Sequence, residues 1–333
     1  MVGTGEKHVV VGAGPVGLET ARELVRRGVH DVLLVSRSGA GVAVDGVRRV
    51  ALDASDADAL TSVAEGAAAI HNAVNPPSYD VWPTWWPPVA EALLTAAERA
   101  GAVLVTCGNL YPYGERPDAE RPMVEGDPDT ATGTKGRLRA GMWAEARRRH
   151  EQGRIRAVEV RGSDYMGPGI RSGNGHVSLV APRALAGKPV RMIGRVDQPH
   201  SFADVRDVAR TMVEVAGRPG THGRVWHVPT NPAVTQAQAV ADVCRSVGRE
   251  PVRVRAYPGW LVPGLLGTVV PVLRELRETA YQFRRPYLLD SSAARTELGL
   301  EPTPWEEVCR ATAATALGED AVASTEGATG ARQ

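Results

Sequence analysis

The stretch that most constrains how this chain folds is "VVVGAGPVG", a run of β-branched residues broken by Gly12, Gly14 and Gly17. In such a turn the first glycine permits a sharp reversal and the second lets a phosphate approach the backbone. The third lets helix and strand pack with no Cβ between them. The helix that follows, "PVGLETARELVRRG", opens with Pro15 and Val16 and closes on Gly28, so its first N–H groups and positive dipole end face the turn. A lone GxGxxG is weak, because glycine-rich turns are common; here it ends the first strand of a chain that goes on alternating.

The alternation runs through "DVLLV", "VRRVAL", "AAAIHN", "AVLVT" and "IRAVEV", with the helices "PPVAEALLTAAERAG" and "GRLRAGMWAEARRRHEQG" between the later strands. Strands with continuous apolar character, separated by helices, predict a parallel sheet covered on both faces. The expected class is α/β, a doubly wound Rossmann-type sheet with a smaller C-terminal lobe. Residues 1–165 are read as the dinucleotide-binding domain, 166–317 as the substrate lobe and 318–333 as a flexible tail. Helices within 204–248 ("FADVRDVARTMVEVAG", "TQAQAVADVCRSVG") are able to return partly to the first domain.

Net charge is +1 over 333 residues, which offers no general attraction for nucleic acid or an anionic membrane. The three cysteines, Cys107, Cys244 and Cys309, have no metal or redox spacing and suit a reducing compartment. The start lacks the basic and apolar order of a signal peptide, and "LVPGLLGTVVPVL" is interrupted by Gly and Pro. A cytoplasmic protein without metal is expected.

The end of the second strand bears on the choice of dinucleotide. An acid there would bind a ribose 2′-hydroxyl; this chain has Ser36, Arg37 and Ser38. A guanidinium flanked by hydroxyls suits a 2′-phosphate, so NADP(H) is the expected cofactor, the alternative being a solvated surface arginine. Asp53 ends the third strand, placed to accept from an adenine amino group. Asn72, Ala73 and Val74 end the fourth, small enough for close approach. Thr106 ends the fifth.

From about His8 to Pro304 the chain resembles the extended short-chain dehydrogenase/reductases, a group that includes NAD-dependent epimerases and dehydratases. The resemblance rests on "VGAGPVG", "LDASD", "NLYPYG", Lys135, "RGSDYMGPG", "SFADVRDVA" and "LLDSSAARTELGLEPTPWEE". It implies that Lys135 binds the nicotinamide ribose and that Tyr165 joins the cofactor set. It also implies that the catalytic hydroxyl residue falls at Asn109 and the catalytic tyrosine at Ala131. Neither residue has the expected chemistry, so the chain is similar to an atypical member, and Asn109, Tyr113 and Lys135 are the catalytic candidates.

Substitute acids are Tyr111, Tyr113, Tyr165 and His200, none related to Lys135 by a helical turn. A route without a protein acid is a phenolic ketone whose own hydroxyl, beside the carbonyl, supplies the proton. Three tryptophans crowd "YDVWPTWWPP"; Trp82 and Trp85, with Tyr113, Met166 and His200, are read as substrate contacts, and Trp86 as core packing. The leading expectation is an NADPH-dependent ketoreductase for a bulky aromatic polyketide carbonyl, acting as monomer or homodimer. A redox-neutral nucleotide-sugar epimerase or dehydratase, with Arg171, Arg206, Arg284 or Arg285 on a pyrophosphate, is the second. A non-catalytic NADP-sensing protein is the third.

Overall fold

The computed structural model describes residues 2–171, 175–258 and 278–318. Strands β1 (Lys7–Val11), β2 (Asp31–Ser36), β3 (Val47–Ala51), β4 (Ala67–Asn72), β5 (Val103–Asn109) and β6 (Arg156–Gly162) alternate with helices α1 (Pro15–Arg26), α2 (Ala57–Ala64), α3 (Trp82–Ala100) and α4 (Thr134–Glu151). Beyond β6 come β7 (Asp164–Met166), α5 (His176–Leu185), β8 (Val190–Met192), β9 (Pro199–His200), β10 (Phe202–Asp204) and α6 (Val205–Ala216). They are followed by β11 (Val225–His227), β12 (Val234–Thr235), α7 (Gln236–Arg245), β13 (Val254–Ala256), α8 (Ser292–Leu298) and α9 (Trp305–Leu317).

The main sheet has seven parallel strands in the order β3-β2-β1-β4-β5-β6-β11. This is the doubly wound α/β class expected from the sequence. Successive side chains of a strand point to opposite faces, and the partition is visible in β1. Val9 and Val11 join the core under α2, α3 and α4, whereas Val10 joins Leu24, Leu34 and Val213 under α1 and α6. Both faces are therefore dry, which is why the strands read as unbroken apolar runs. The order reverses between β1 and β4, and ligands of such sheets bind at that switch, beyond the carboxyl ends of the strands.

Two elements after residue 204 belong to the main domain: α6 packs on α1, and β11 forms the sheet edge beside β6. The lobe has its own core, where Val180, Leu185, Met166, Phe202, Val240 and Val308 meet. The apolar stretch 261–273 and the tail, apart from Gly318, lie outside the described residues. Among the described residues no helix is long and apolar enough to cross a membrane.

Two element boundaries differ from the expectation. "FADVRDVARTMVEVAG" is not one helix: Phe202–Asp204 pairs with β7, and α6 starts only after Asp204 accepts from the Arg206 N–H at 2.8 Å. The helix expected from Pro87 begins earlier, since α3 starts at Trp82 and runs through Pro87 and Pro88. Trp82 and Trp86, one turn apart, both face the core, and their burial offsets the missing proline N–H groups. Those prolines and their would-be partner carbonyls at residues 83 and 84 lie on the exposed side.

Candidate active site

The crevice at the switch point is built from backbone. Gly12 has φ +108°, and a Cβ there would stand 2.6 Å from the Ala73 carbonyl oxygen. A Cβ on Gly17 would overlap the Gly12 carbonyl, while one on Gly14 would meet nothing within 4 Å. The open side of the loop is thus at Gly14, which caps α1 with no side-chain hydrogen bond, ahead of Pro15, whose ring lies against Gly169. Gly12 N–H donates to Val35 (2.8 Å) and Ala73 N–H to Val11 (2.8 Å), locking the ends of three strands together. An uncapped helix start over an open glycine fits a pyrophosphate.

Around this loop, Arg37 and Ser38 are exposed and Ser36 is half-buried, its Oγ shielded and without a hydrogen-bond partner among the described residues. Asp53 is exposed as well. Its Oδ1 accepts from Ser55 N–H (2.9 Å) and Oγ (2.7 Å), bonds that, with the Arg37 charge nearby, hold the carboxyl below its usual range. Asn72 is buried and accepts from Val74 N–H at 3.3 Å, which fixes the turn Asn72–Ala73–Val74. Thr106 is half-buried one strand away. These placements fit a dinucleotide lying from β3 to β5.

Lys135 sits one residue into α4, whose N-cap is Gly133, and is buried. Its backbone N–H donates to Glu278 Oε1 (2.6 Å), and its Nζ lies 3.2 Å from Glu278 Oε2 and 5.2 Å from the centre of the Tyr79 ring. Glu278, some 140 residues away in sequence, was invisible to the sequence reading. Because α4 starts at Thr134, Ala131 is not on the helix at all. Its N–H donates to the Pro112 carbonyl (3.0 Å), and its methyl lies against Gly136. The i, i+4 relation that the family uses for its tyrosine and lysine therefore does not exist here.

Several expected site residues are placed elsewhere. Tyr113 is fully buried, its hydroxyl 2.8 Å from His227 Nε2 and its ring 4.7 Å from the Arg161 guanidinium. The structure places it in the core, whereas the sequence suggests a catalytic and substrate-facing position. The cause is the short helical turn Tyr111–Tyr113, which sends one tyrosine to each side. Trp82 is likewise buried; it backs Tyr79 (5.2 Å) and Tyr111 (6.2 Å) rather than walling a pocket. Met166 lies in the core of the lobe. His200 is buried among Phe202, Phe283 and Tyr287, with Nε2 2.8 Å from Asp164 Oδ2. Burial works against the Asp164 charge, but His200 outweighs it and holds that carboxyl low.

Trp85 stays half-buried, edge-on to Trp86. Asn109 is at the end of β5, where its Oδ1 accepts from the Tyr111 N–H (3.1 Å) and so shapes the turn. Tyr165 donates to the Gly108 carbonyl (2.7 Å) and lies 3.2 Å from Cys107 Sγ.

What the fold assembles instead is a pair of phenols. Tyr79, from the segment after β4, and Tyr111, from the turn after β5, place their hydroxyls 3.0 Å apart beside Lys135. Both are half-buried, and burial pushes both phenols upward. One turn beyond Lys135, Arg139 is buried under the site, its guanidinium 4.2 Å from the Trp86 ring and 5.1 Å from Trp82. A shallow groove open to solvent is lined by Gly114, Met123, Tyr281, Arg285 and Tyr287. Of the arginines weighed for a pyrophosphate, Arg206 is committed to Asp204 and Glu307, and Arg285 donates to the carbonyls of Arg116 and Pro117.

The sequence model of the NAD dependent epimerase/dehydratase family matches residues 8–228. The chain belongs to that family. Solved structures of the same fold include UDP-glucose 4-epimerase from Thermotoga maritima with UDP-glucose, at TM-score 0.74 and 16% identity over 94% of this chain and 99% of that one. The UDP-glucose 4-epimerase of Thermus thermophilus with NAD gives 0.72 and 20% over 93% and 99%. A double mutant of the dTDP-glucose 4,6-dehydratase DesIV from Streptomyces venezuelae, with NAD bound, gives 0.72 and 20% over 92% and 95%. No curated protein sequence matches the chain.

Proposed function

We propose that this protein is an NADPH-dependent ketoreductase acting on a bulky, hydroxylated aromatic ketone of polyketide type, in antibiotic biosynthesis. The observation that carries the reading is the combination at the start of α4: a buried Lys135 beside two phenols, and an alanine off the helix where the family keeps its acid. Losing both the hydroxyl residue at 109 and the tyrosine at 131 resembles the angucyclinone ketoreductase of simocyclinone biosynthesis. NADPH would supply hydride at the nicotinamide. Gly12, Gly14 and Gly17 would hold its pyrophosphate, Arg37 with Ser36 and Ser38 its 2′-phosphate, and Lys135, shared with Glu278, its ribose.

In this reading the proton comes from the substrate. A phenol beside the carbonyl already hydrogen-bonds to it, and orientation supplies much of the rate. The half-buried indole of Trp85, in the first turn of α3, suits contact with a flat, polycyclic ligand. The test is the loss of NADPH absorbance with a panel of hydroxylated polycyclic ketones. No turnover of any of them would sink the proposal.

The fold neighbours favour a second reading, a redox-neutral epimerase or dehydratase of nucleotide sugars, because those solved proteins were determined with UDP-glucose or NAD. A sugar must be oxidised transiently, which needs a base in the place where this chain has Ala131. Conversion of a UDP- or dTDP-sugar with no net NADPH consumption would establish it instead.

A further inference from the structure

We propose that the Tyr79–Tyr111 pair holds the phenolic oxygen of the substrate, donating hydrogen bonds that steady the phenolate left when its proton passes to the carbonyl. The inference rests on the ketoreductase reading above and names what in this chain recognises the hydroxyl beside the ketone.

The pair sits where such an oxygen must lie. Its two residues come from the carboxyl ends of adjacent strands, β4 and β5, at the mouth of the crevice, and Lys135 flanks it. Two hydroxyls bring two protons and share one hydrogen bond at 3.0 Å, so one proton is left over for a third oxygen. Tyr113 and Tyr165, by contrast, are already committed to His227 and to the Gly108 carbonyl.

Protonation state agrees with the role. Burial keeps both phenols neutral across the physiological range, so they donate rather than accept. The Lys135 ammonium, 5.2 Å from the Tyr79 ring centre, favours negative charge accumulating next to it. The proton account balances without ionising either tyrosine. Hydride from NADPH reaches the carbonyl carbon, and the substrate's phenol O–H breaks, its proton going to the oxygen of the former carbonyl and leaving a phenolate. Tyr111 donates a hydrogen bond to that phenolate and keeps its proton, Tyr79 supports Tyr111, and water reprotonates the phenolate as the product leaves. The pair ends as it began.

The test has two arms on the full-length protein. In the first, a hydroxyanthraquinone with one hydroxyl beside a carbonyl is bound without cofactor and titrated by its phenolate absorbance. Wild type should lower the bound phenol's pKa by about one unit, a tenfold gain in ionisation, and Tyr111→Phe and Tyr79→Phe should each remove most of that shift. In the second arm, Tyr111→Phe should lower kcat for a hydroxylated ketone by about a hundredfold while NADPH affinity, read by fluorescence, is unchanged. If both phenylalanine variants bind the probe with the wild-type shift, the pair is not the hydroxyl subsite and the inference falls while the ketoreductase reading stands. A wild-type shift abolished in the variants, with no ketone reduced by wild type, sinks the ketoreductase reading and keeps the subsite. If wild type neither binds nor shifts the probe, the subsite is refuted.

Discussion

The placement of Tyr113 in the core has a quantitative consequence through its partner, His227. The imidazole is fully buried; its Nδ1 donates to the Asp290 carbonyl at 2.7 Å, so Nε2 must accept from the Tyr113 hydroxyl at 2.8 Å. Only the neutral ring satisfies both bonds as drawn. Burial, reinforced by the Arg161 charge against the pull of the Asp290 carbonyl, lowers its pKa from 6.5 to about 4. An unfolded chain takes up a proton near 6.5, whereas the folded one waits until about 4, so the unfolded state binds more protons throughout that window. Stability from this group is complete above the unfolded pKa and drains away as pH falls toward the folded one. The full gap is about 3 kcal/mol, and about 2 kcal/mol of it is lost by about pH 5.

The assay is urea unfolding of wild type and His227→Gln at about pH 7.5 and about pH 5. The variant should be less stable at the higher pH because it breaks a buried network, yet lose about 2 kcal/mol less than wild type on acidification. Equal losses in the two proteins would refute the neutral, buried His227. They would also reopen the case for Tyr113 as an exposed, catalytic phenol.

Three further outcomes follow from the site. Arg37→Ala should weaken NADPH by about ten- to a hundredfold, the worth of a charged hydrogen bond, and leave NADH almost untouched; equal effects in a binding titration would reject the 2′-phosphate assignment. Trp82→Ala should cost about 3–5 kcal/mol of stability, as expected of a buried indole, with thermal melting as the readout; a stable variant with altered substrate preference would restore it as a substrate wall. Ala131→Tyr combined with Asn109→Ser should raise kcat less than about threefold, because residue 131 precedes α4 and cannot share a helix face with Lys135; a gain of about a hundredfold would show that the family's acid geometry is recoverable.

Much of the architecture was legible from local pattern. Unbroken apolar runs such as "HVVV" and "AAAIHN" have to be strands buried on both faces, and Gly12 and Gly17 leave no room for a Cβ, so β1, α1 and the crevice follow from residue chemistry alone. Boundaries set by burial were not legible. Prolines in "WPTWWPP" argue against a helix, and only the core that takes Trp82 and Trp86 overrides them.

The sequence by itself determined the sheet, the glycine loop, the arginine after β2 and the absence of an acid at 131, because each depends on residue type or on neighbours a few positions away. Only the tertiary structure decided which tyrosine faces the site. Tyr111 and Tyr113 are two residues apart in one turn, and their fates depend on what waits on either side: Tyr79 and Lys135 for the first, His227 and Arg161 for the second. Those partners lie from about thirty to more than a hundred residues away or, like Lys135, across a turn that only the packed fold closes. The same holds for Glu278 on Lys135. A chemistry-bearing side chain can be found by its type, but what it can do is set by burial and by partners that the chain order does not reveal.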